Sequence, residues 1–268
     1  MKDLPLIAGR YQVLAVLGRG GMGEVLLAHD QRLDMDVAIK RVPAQLASEP
    51  LLKAALTAEA KILARLNDPR IVRLFDLADT HDGLLVVLEY VCGPSLGAVL
   101  RARGSLTETE VVHVLRDVSG GVTAAHRHNV IHRDLKPANI LLELPEGRRM
   151  DFIAEGKLPP DVLDARAKVA DFGIAKVLQT TPTQTIFSTA GSPAYMAPEQ
   201  FRGEVPSPET DVYALGIIAY ELLAGFPPFA AGDLAHQHQA IPPRPLAGCS
   251  PQRTQVVLRA LAKRREDR

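Results

Sequence analysis

Eight consecutive residues, His132-Arg133-Asp134-Leu135-Lys136-Pro137-Ala138-Asn139, set a carboxylate, an ammonium and a carboxamide around a proline that cannot continue a helix. Such a set can place a hydroxyl against a phosphate and hold a metal ion beside it. A second carboxylate follows in Asp171-Phe172-Gly173. Upstream stands Gly18-Arg19-Gly20-Gly21-Met22-Gly23, with Lys40 and Glu59 between it and the Asp134 segment. Phosphoryl transfer needs charge stabilisation and alignment more than covalent help, and these residue types supply both.

The glycine pattern alone is weak, because it also marks dinucleotide-binding turns that open a helix. Here Glu24-Val25-Leu26-Leu27-Ala28 follows it and reads as a strand. A strand, glycine turn and second strand can lay backbone N–H groups over phosphates with no side chain in the way. Val37-Ala38-Ile39-Lys40 puts a lysine at the end of an apolar strand, pointing away from the core side. Alone, such a lysine reads as a solvated edge residue.

The elements that must carry these groups change character near Gly93. Before it, β-like runs cover Tyr11–Gly18, Glu24–His29, Asp36–Val42, Ile71–Thr80 and Leu84–Tyr90. One helix, roughly Leu51 to Leu66, interrupts them, with Leu52, Leu56, Ile62, Leu63 and Leu66 at three- and four-residue spacing. After Gly93, helices are expected over Ser95–Arg103, Thr107–His128, Asp211–Ala224 and Gln252–Arg264. Ser105-Leu106-Thr107-Glu108 offers capping side chains, and Pro242-Pro243-Arg244-Pro245 a stiff connector. A β-rich part followed by a helical part suits a ligand cleft at the junction.

Composition agrees. At 268 residues the chain can bury a sizeable core, and 47% hydrophobic with 23% charged residues is ordinary for a globular protein. Lys+Arg and Asp+Glu both total 31, so no basic field argues for nucleic acid. Cys92 and Cys249 make no disulfide framework, which favours a reducing compartment. No signal peptide is expected, and the longest uncharged apolar run, Val212 to Tyr220, is far short of the ~20 residues that span a bilayer.

From about Tyr11 to the last residue, these motifs and their order resemble the eukaryotic-like protein kinases, most closely the bacterial serine/threonine kinases. The resemblance implies an α+β, two-lobed kinase fold over residues 1–268. A small antiparallel β-sheet lobe with one main helix would occupy about 1–92, and a larger, mainly helical lobe about 93–268. It implies ATP and Mg²⁺ as cofactors, with Mn²⁺ an alternative, and Ser or Thr side chains of proteins as acceptors. Asp134 is then the base or orienting group for the hydroxyl, and Lys136 neutralises the γ-phosphoryl. Asn139 and Asp171 hold the metal, and a Lys40–Glu59 ion pair directs the lysine to the α- and β-phosphates. Gly18, Gly20, Gly21 and Gly23 cover the phosphates. The connector Glu89-Tyr90-Val91 meets the adenine edge, Leu88 backs its pocket, and Val25, Ala38 and Leu141 sandwich the ring. Lys136, and Ser192 before the docking segment Ala197-Pro198-Glu199, point to Ser/Thr rather than Tyr. Thr183, Thr185, Ser188 and Thr189 are candidate autophosphorylation sites, with Thr183 and Thr185 favoured; a phosphate there could pair with Arg133 and Lys176.

Two departures from the family stand out. Glu143 to Lys168 fills what is usually a short turn, with a short helix expected at Pro160–Arg166, and is expected to project from the domain. Arg268 matches the arginine that pairs with Glu199 in the family; as the last residue it is expected to fray, which puts that pair in doubt. The family normally continues through another helix, so the large lobe is expected to be truncated at its C-terminal end, and a rival reading follows: an ATP-binding pseudokinase or scaffold inactive through that truncation. A small-molecule phosphotransferase is the other, and the Ala197-Pro198-Glu199 segment argues against it. His126, His128, His236 and His238 form pairs with no third metal ligand, and His132 is expected to pack beneath Phe172. Cys92 is expected to be small and exposed. A cytoplasmic chain, or the cytoplasmic part of a longer membrane-anchored protein, is expected, and a homodimer is compatible with the sequence.

Overall fold

The computed structural model describes residues 6–20, 23–43, 50–81, 83–146, 162–172 and 193–268. They form two compact units that divide between Val91 and Cys92. Among them no helix is long and apolar enough to cross a membrane.

The first unit is a six-stranded antiparallel sheet in the order β1-β2-β3-β4-β6-β5. Its strands are β1 (Leu6–Ile7), β2 (Tyr11–Gly20), β3 (Gly23–Asp30), β4 (Met35–Pro43), β5 (Leu74–Thr80) and β6 (Gly83–Glu89). Alternation decides the two faces. Tyr11, Leu26, Ala28, Val37, Ile39, Leu85 and Val87 pack together as the core on one face. Helix α1 (Pro50–Leu63) buries Leu56, Ala60 and Leu63, one stripe at helical spacing, with Leu66 buried just beyond its end. Ile62, expected in that stripe, is 45% exposed; it lies more than a quarter turn round from the stripe's centre.

The second unit is mainly helical. It comprises α2 (Leu96–Arg103), α3 (Glu108–Arg127), a β7–β8 hairpin (Ile140–Glu143 and Arg166–Val169), α4 (Pro198–Phe201), α5 (Pro208–Ala224), α6 (Leu234–Ala240) and α7 (Pro251–Ala260). Helix α5 forms its axis, with Tyr213, Ile217, Ile218 and Leu222 all fully enclosed. Helix α3 starts in a capping box. The Thr107 Oγ1 accepts from the Glu110 amide at 3.3 Å, while the Glu110 carboxylate accepts from the Thr107 amide at 2.9 Å and from Arg103 at 2.6 and 2.9 Å.

The segment entering this unit behaves as a third strand beside β7. The Leu142 amide donates to the Pro94 carbonyl at 2.9 Å, and the Leu144 amide to that of Cys92 at 3.0 Å. This pairing buries Cys92 to 4% exposure, against the exposed position expected from sequence. Gly93 lies between them at φ +155°, where a Cβ would stand 1.8 Å from the Leu142 carbonyl oxygen.

The long β7–β8 connection also departs from expectation near its end. Residues 162–164 form a 3₁₀ turn in place of a longer helix, and Val162 is fully buried. His113 on α3 holds the Ala165 carbonyl at 2.8 Å, and Asp117 accepts the Ala167 amide at 3.2 Å. This part lies against α3 instead of projecting.

Two stability predictions follow from these contacts. Gly93→Ala forces the backbone off the Leu142 carbonyl and lowers stability by roughly 3 kcal/mol, read as a lower midpoint in thermal unfolding. Burial opposes charge on Glu110, but Arg103 and Thr107 outweigh it and hold its pKa at about 2, below the ordinary 4.5. A depressed carboxylate stabilises the fold above its unfolded value and loses that contribution as pH falls from about 4.5 to about 2. Glu110→Gln is therefore less stable than the parent at pH 7, and urea midpoints of the two converge across that acid window.

Candidate active site

Each unit carries its own set of the groups singled out in the sequence. In the first, Gly20 and Gly23 pair across a β2–β3 hairpin turn, and Gly23 has φ +115°, a backbone state that glycine adopts without strain. Gly18 pairs with Val25; Gly21 lies outside the described residues. The strand–turn–strand form expected after the glycines is present, and it excludes the helix-opening alternative.

Strand register then decides which side chains share a face. Val25 pairs with Lys40 and Lys40 with Val86; Leu27 pairs with Ala38 and Ala38 with Leu88. Directly opposed residues point the same way, so Val25, Ala38, Lys40, Val86 and Leu88 occupy one face, opposite the core. Lys40 is 7% exposed and β4 runs three residues past it. It is a buried mid-strand lysine, not a strand-end residue. Glu59 lies beside Leu56, Ala60 and Leu63 on the buried stripe of α1. The Glu89 amide donates to the Arg73 carbonyl at 2.9 Å, its carboxylate accepts the Arg73 amide at 3.2 Å, and Val91 is buried.

In the second unit the sequence segment 132–139 folds back on itself. Lys136 Nζ meets Asp134 Oδ2 at 2.7 Å, and Asn139 Nδ2 donates to the Asp134 carbonyl at 2.9 Å and to Oδ2 at 3.3 Å. Both side-chain contacts fall on Oδ2. With Nδ2 committed, the atom that Asn139 presents elsewhere is its Oδ1. The Asn139 carbonyl accepts the Ala170 amide at 2.8 Å. His132 Nε2 lies 2.9 Å from the Ala170 carbonyl, and the Asp134 amide 3.3 Å from His132 Nδ1. A carbonyl only accepts and an amide only donates, so this ring carries its proton on Nε2 and is neutral. Its centroid stands 4.6 Å from that of Phe172, as expected. Asp171, at φ +60°, is thus bracketed by two neighbours tied to the Asp134 segment. Leu141 is half-buried on β7.

Two groups to which sequence reading gave no role hold this arrangement. Asp211, in the first turn of α5, accepts the His132 amide at 2.8 Å, the Arg133 amide at 2.9 Å and His126 Nε2 at 2.7 Å. This contact accounts for His126. Gln200 on α4 accepts the Ala197 amide at 2.9 Å and donates to the Arg133 carbonyl at 3.0 Å. Arg133 itself sits at φ +68°, and among the described residues no carboxylate pairs with its side chain. The only advance signal for Asp211 was a charge opening the apolar run of α5.

The Glu199–Arg268 pair forms, contrary to expectation. Arg268 meets Glu199 Oε1 and Oε2 at 2.7 and 2.8 Å, and donates to the carbonyls of Glu209, Ala262 and Lys263 at 2.9, 2.9 and 3.4 Å. All five guanidinium N–H groups are used, and its side chain is fully buried. Burial opposes the Glu199 charge, but Arg268 and Thr210 keep its pKa below the ordinary value.

The Gly191–Ser192 pair and the candidate phosphorylation sites Thr183, Thr185, Ser188 and Thr189 lie outside the described residues, as do Gly173 and Lys176.

Residues 11–255 match the sequence model of the protein kinase domain. The serine/threonine-protein kinase PknB of Mycolicibacterium smegmatis is 36% identical over 98% of this chain and 41% of its own length. The kinase pkn3 of Myxococcus xanthus is 37% identical over 98% and 48%, and PrkC of Bacillus subtilis 37% over 87% and 33%. The chain spans less than half the length of each of these relatives. Similarity this long, on a glycine hairpin joined in sequence to an Asp134–Asn139 segment and an Asp171 turn, leaves one assignment: the chain belongs to the protein kinase family and has its two-lobed α+β fold.

Proposed function

We propose that the chain transfers the γ-phosphate of ATP to Ser and Thr hydroxyls of proteins. The observation that carries this reading is the closed set around Asp134, where Lys136 and Asn139 both engage Oδ2. Oδ1 is left as the oxygen an incoming hydroxyl would meet. There the carboxylate orients the hydroxyl and accepts its proton as the oxygen attacks phosphorus and the bond to the ADP oxygen breaks. Lys136 neutralises the transferred group. Lys40, on the sheet face shared with Val25 and Ala38, is assigned to the α- and β-phosphates, with Glu59 its partner. Val25 and Ala38 offer an apolar surface to a flat ring, with Leu141 assigned to its other side and Glu89 to Val91 to its edge.

The family uses ATP and a divalent metal. Among the described residues no cluster of three or more His, Cys, Asp or Glu could hold a metal ion. Asn139 Oδ1 and the Asp171 carboxylate are hard oxygen donors. Mg²⁺ typically takes one or two protein oxygens and completes its shell with phosphates and water, so the residues fit it, with Mn²⁺ an alternative. When bound, the metal would neutralise charge on the β- and γ-phosphates.

Lys136 and the Ser192 position support Ser/Thr acceptors, as do the names of the serine/threonine-protein kinases the chain is similar to. The scaffold reading drew on an expected truncation of the large lobe; the Glu199–Arg268 pair put in doubt on the same ground is formed. Autophosphorylation between Thr180 and Thr189 is part of the same proposal, because Arg133 offers a cation beside Asp134 that, among the described residues, has no carboxylate partner. A cytoplasmic catalytic domain, within a longer protein or not, accords with it.

Incubation with Mg²⁺ and labelled ATP, alone and with a generic basic protein, tests the reading. Asp134→Asn lowers incorporation at least about 100-fold, and Lys40→Met abolishes it to a similar degree; transfer that survives both substitutions would sink the assignment. Phosphosite mapping of the wild-type product finds phosphate between Thr180 and Thr189, and the Thr183→Ala/Thr185→Ala variant loses at least half of it. A fully active enzyme unmodified in that stretch would remove the autophosphorylation claim alone.

A further inference from the structure

His238 on α6 is fully buried, and nothing in the site described above uses it. Its Nδ1 lies 2.9 Å from the Tyr213 hydroxyl, while its Nε2 is buried with no hydrogen-bond partner among the described residues. The ring is held among three others: Phe201 at 5.3 Å and 28°, Phe229 at 4.9 Å and 68°, and Tyr213 at 5.8 Å and 57°. The charged groups facing this box are Lys263, whose Nζ stands 4.5 Å from the Phe229 centroid, and Arg268, 4.9 Å from that of Tyr213 and paired to Glu199. Burial, and then Lys263, lower the pKa of His238 to about 4, so the ring is neutral at ordinary pH.

An orphaned buried nitrogen is costly, and an apolar side chain of the same shape would avoid that cost. The contact to Phe201 indicates what the ring does. Phe201 ends α4, a helix of only four residues. One turn cannot hold itself in place, so packing sets its orientation. The preceding residue, Gln200, grips the Arg133 carbonyl at 3.0 Å. Arg133 is in the left-handed region, immediately before Asp134, and keeps that conformation only while its surroundings impose it.

We propose that His238 is a positioning residue for phosphoryl transfer: its ring, fixed by Tyr213, sets α4 through Phe201, and Gln200 on α4 thereby holds Arg133 and the Asp134 carboxylate in place. The proposal rests on the reading of Asp134 as the group that meets the hydroxyl.

The test is a double-mutant cycle on kcat and on KM for ATP and a Ser/Thr peptide. His238→Asn can keep the bond to Tyr213 while removing the ring beneath Phe201. His238→Asn and Gln200→Ala each lower kcat about tenfold with KM for ATP within about twofold, and the double variant loses about the same, not about 100-fold, because both cut one path. His238→Phe, which returns a ring to the box, recovers kcat to within about threefold of wild type. Should His238→Asn fail to fold, Phe201→Leu cuts the same link and is combined with Gln200→Ala in the same way. Losses that multiply, unchanged kcat in a folded His238→Asn, or no recovery in His238→Phe each overturn the proposal. Asp134→Asn runs beside them: if it retains activity, the reading of the site fails and takes this proposal with it, whereas a dead Asp134→Asn with multiplying losses condemns the positioning role alone.

Discussion

The Asp211 carboxylate, 1% exposed, gathers two consecutive backbone amides and one imidazole at 2.7–2.9 Å. A buried carboxylate is tolerable only when hydrogen bonds replace its water, and here the donors come from the segment that must be shaped. The constraint works both ways. Without the loop, Asp211 would be an unsolvated charge; without Asp211, the amides of His132 and Arg133 would lose their acceptor. Because α5 is the most enclosed helix of the second unit, the loop inherits the rigidity of that unit's core.

That anchoring explains why a residue as ordinary as arginine can sit at φ +68°. Its amide is held by α5 and its carbonyl by α4, so rotating either peptide breaks a hydrogen bond. Asp171, the other non-glycine residue of the site with positive φ, is fixed less directly. Its neighbours are held by Asn139 and His132 on one side and by ring contact with His132 on the other. The two strained positions share one neutral imidazole, which accepts at Nδ1 and donates at Nε2. Strain of this kind clusters where geometry matters for chemistry.

Much of this was legible in advance. Alternation gave the five main strands to within three residues, and the capping side chains ahead of α3 and the Asp134–Asn139 segment could be read directly. What escaped depends on partners distant in sequence. Asp211 reaches Arg133 across 78 residues and Gln200 reaches it across 67, and neither distance leaves a local pattern. The helices α4 and α6, of four and seven residues, have too few turns for periodicity to register. Lys40 was singled out but placed at the end of its strand, because charge predicts exposure on average, whereas register places it between Val25 and Val86. Arg268 looked frayed because its position in the chain was visible and its five acceptors were not. Cys92 was misjudged because the strand-like pairing beside β7 involves residues some fifty positions on.

The end of the β7–β8 connection, held to α3 through Val162, Ala165 and Ala167, separates two jobs that loops usually combine. The residues that close onto the hairpin are packed like core, so the register of β8, and with it the aim of Asp171, is insulated from whatever lies between Glu146 and Val162. Since closure entropy rises only with the logarithm of loop length, that interval is open to evolutionary drift, to the acquisition of new sequence, or to deliberate grafting of a reporter peptide, at little thermodynamic consequence for the hairpin it interrupts.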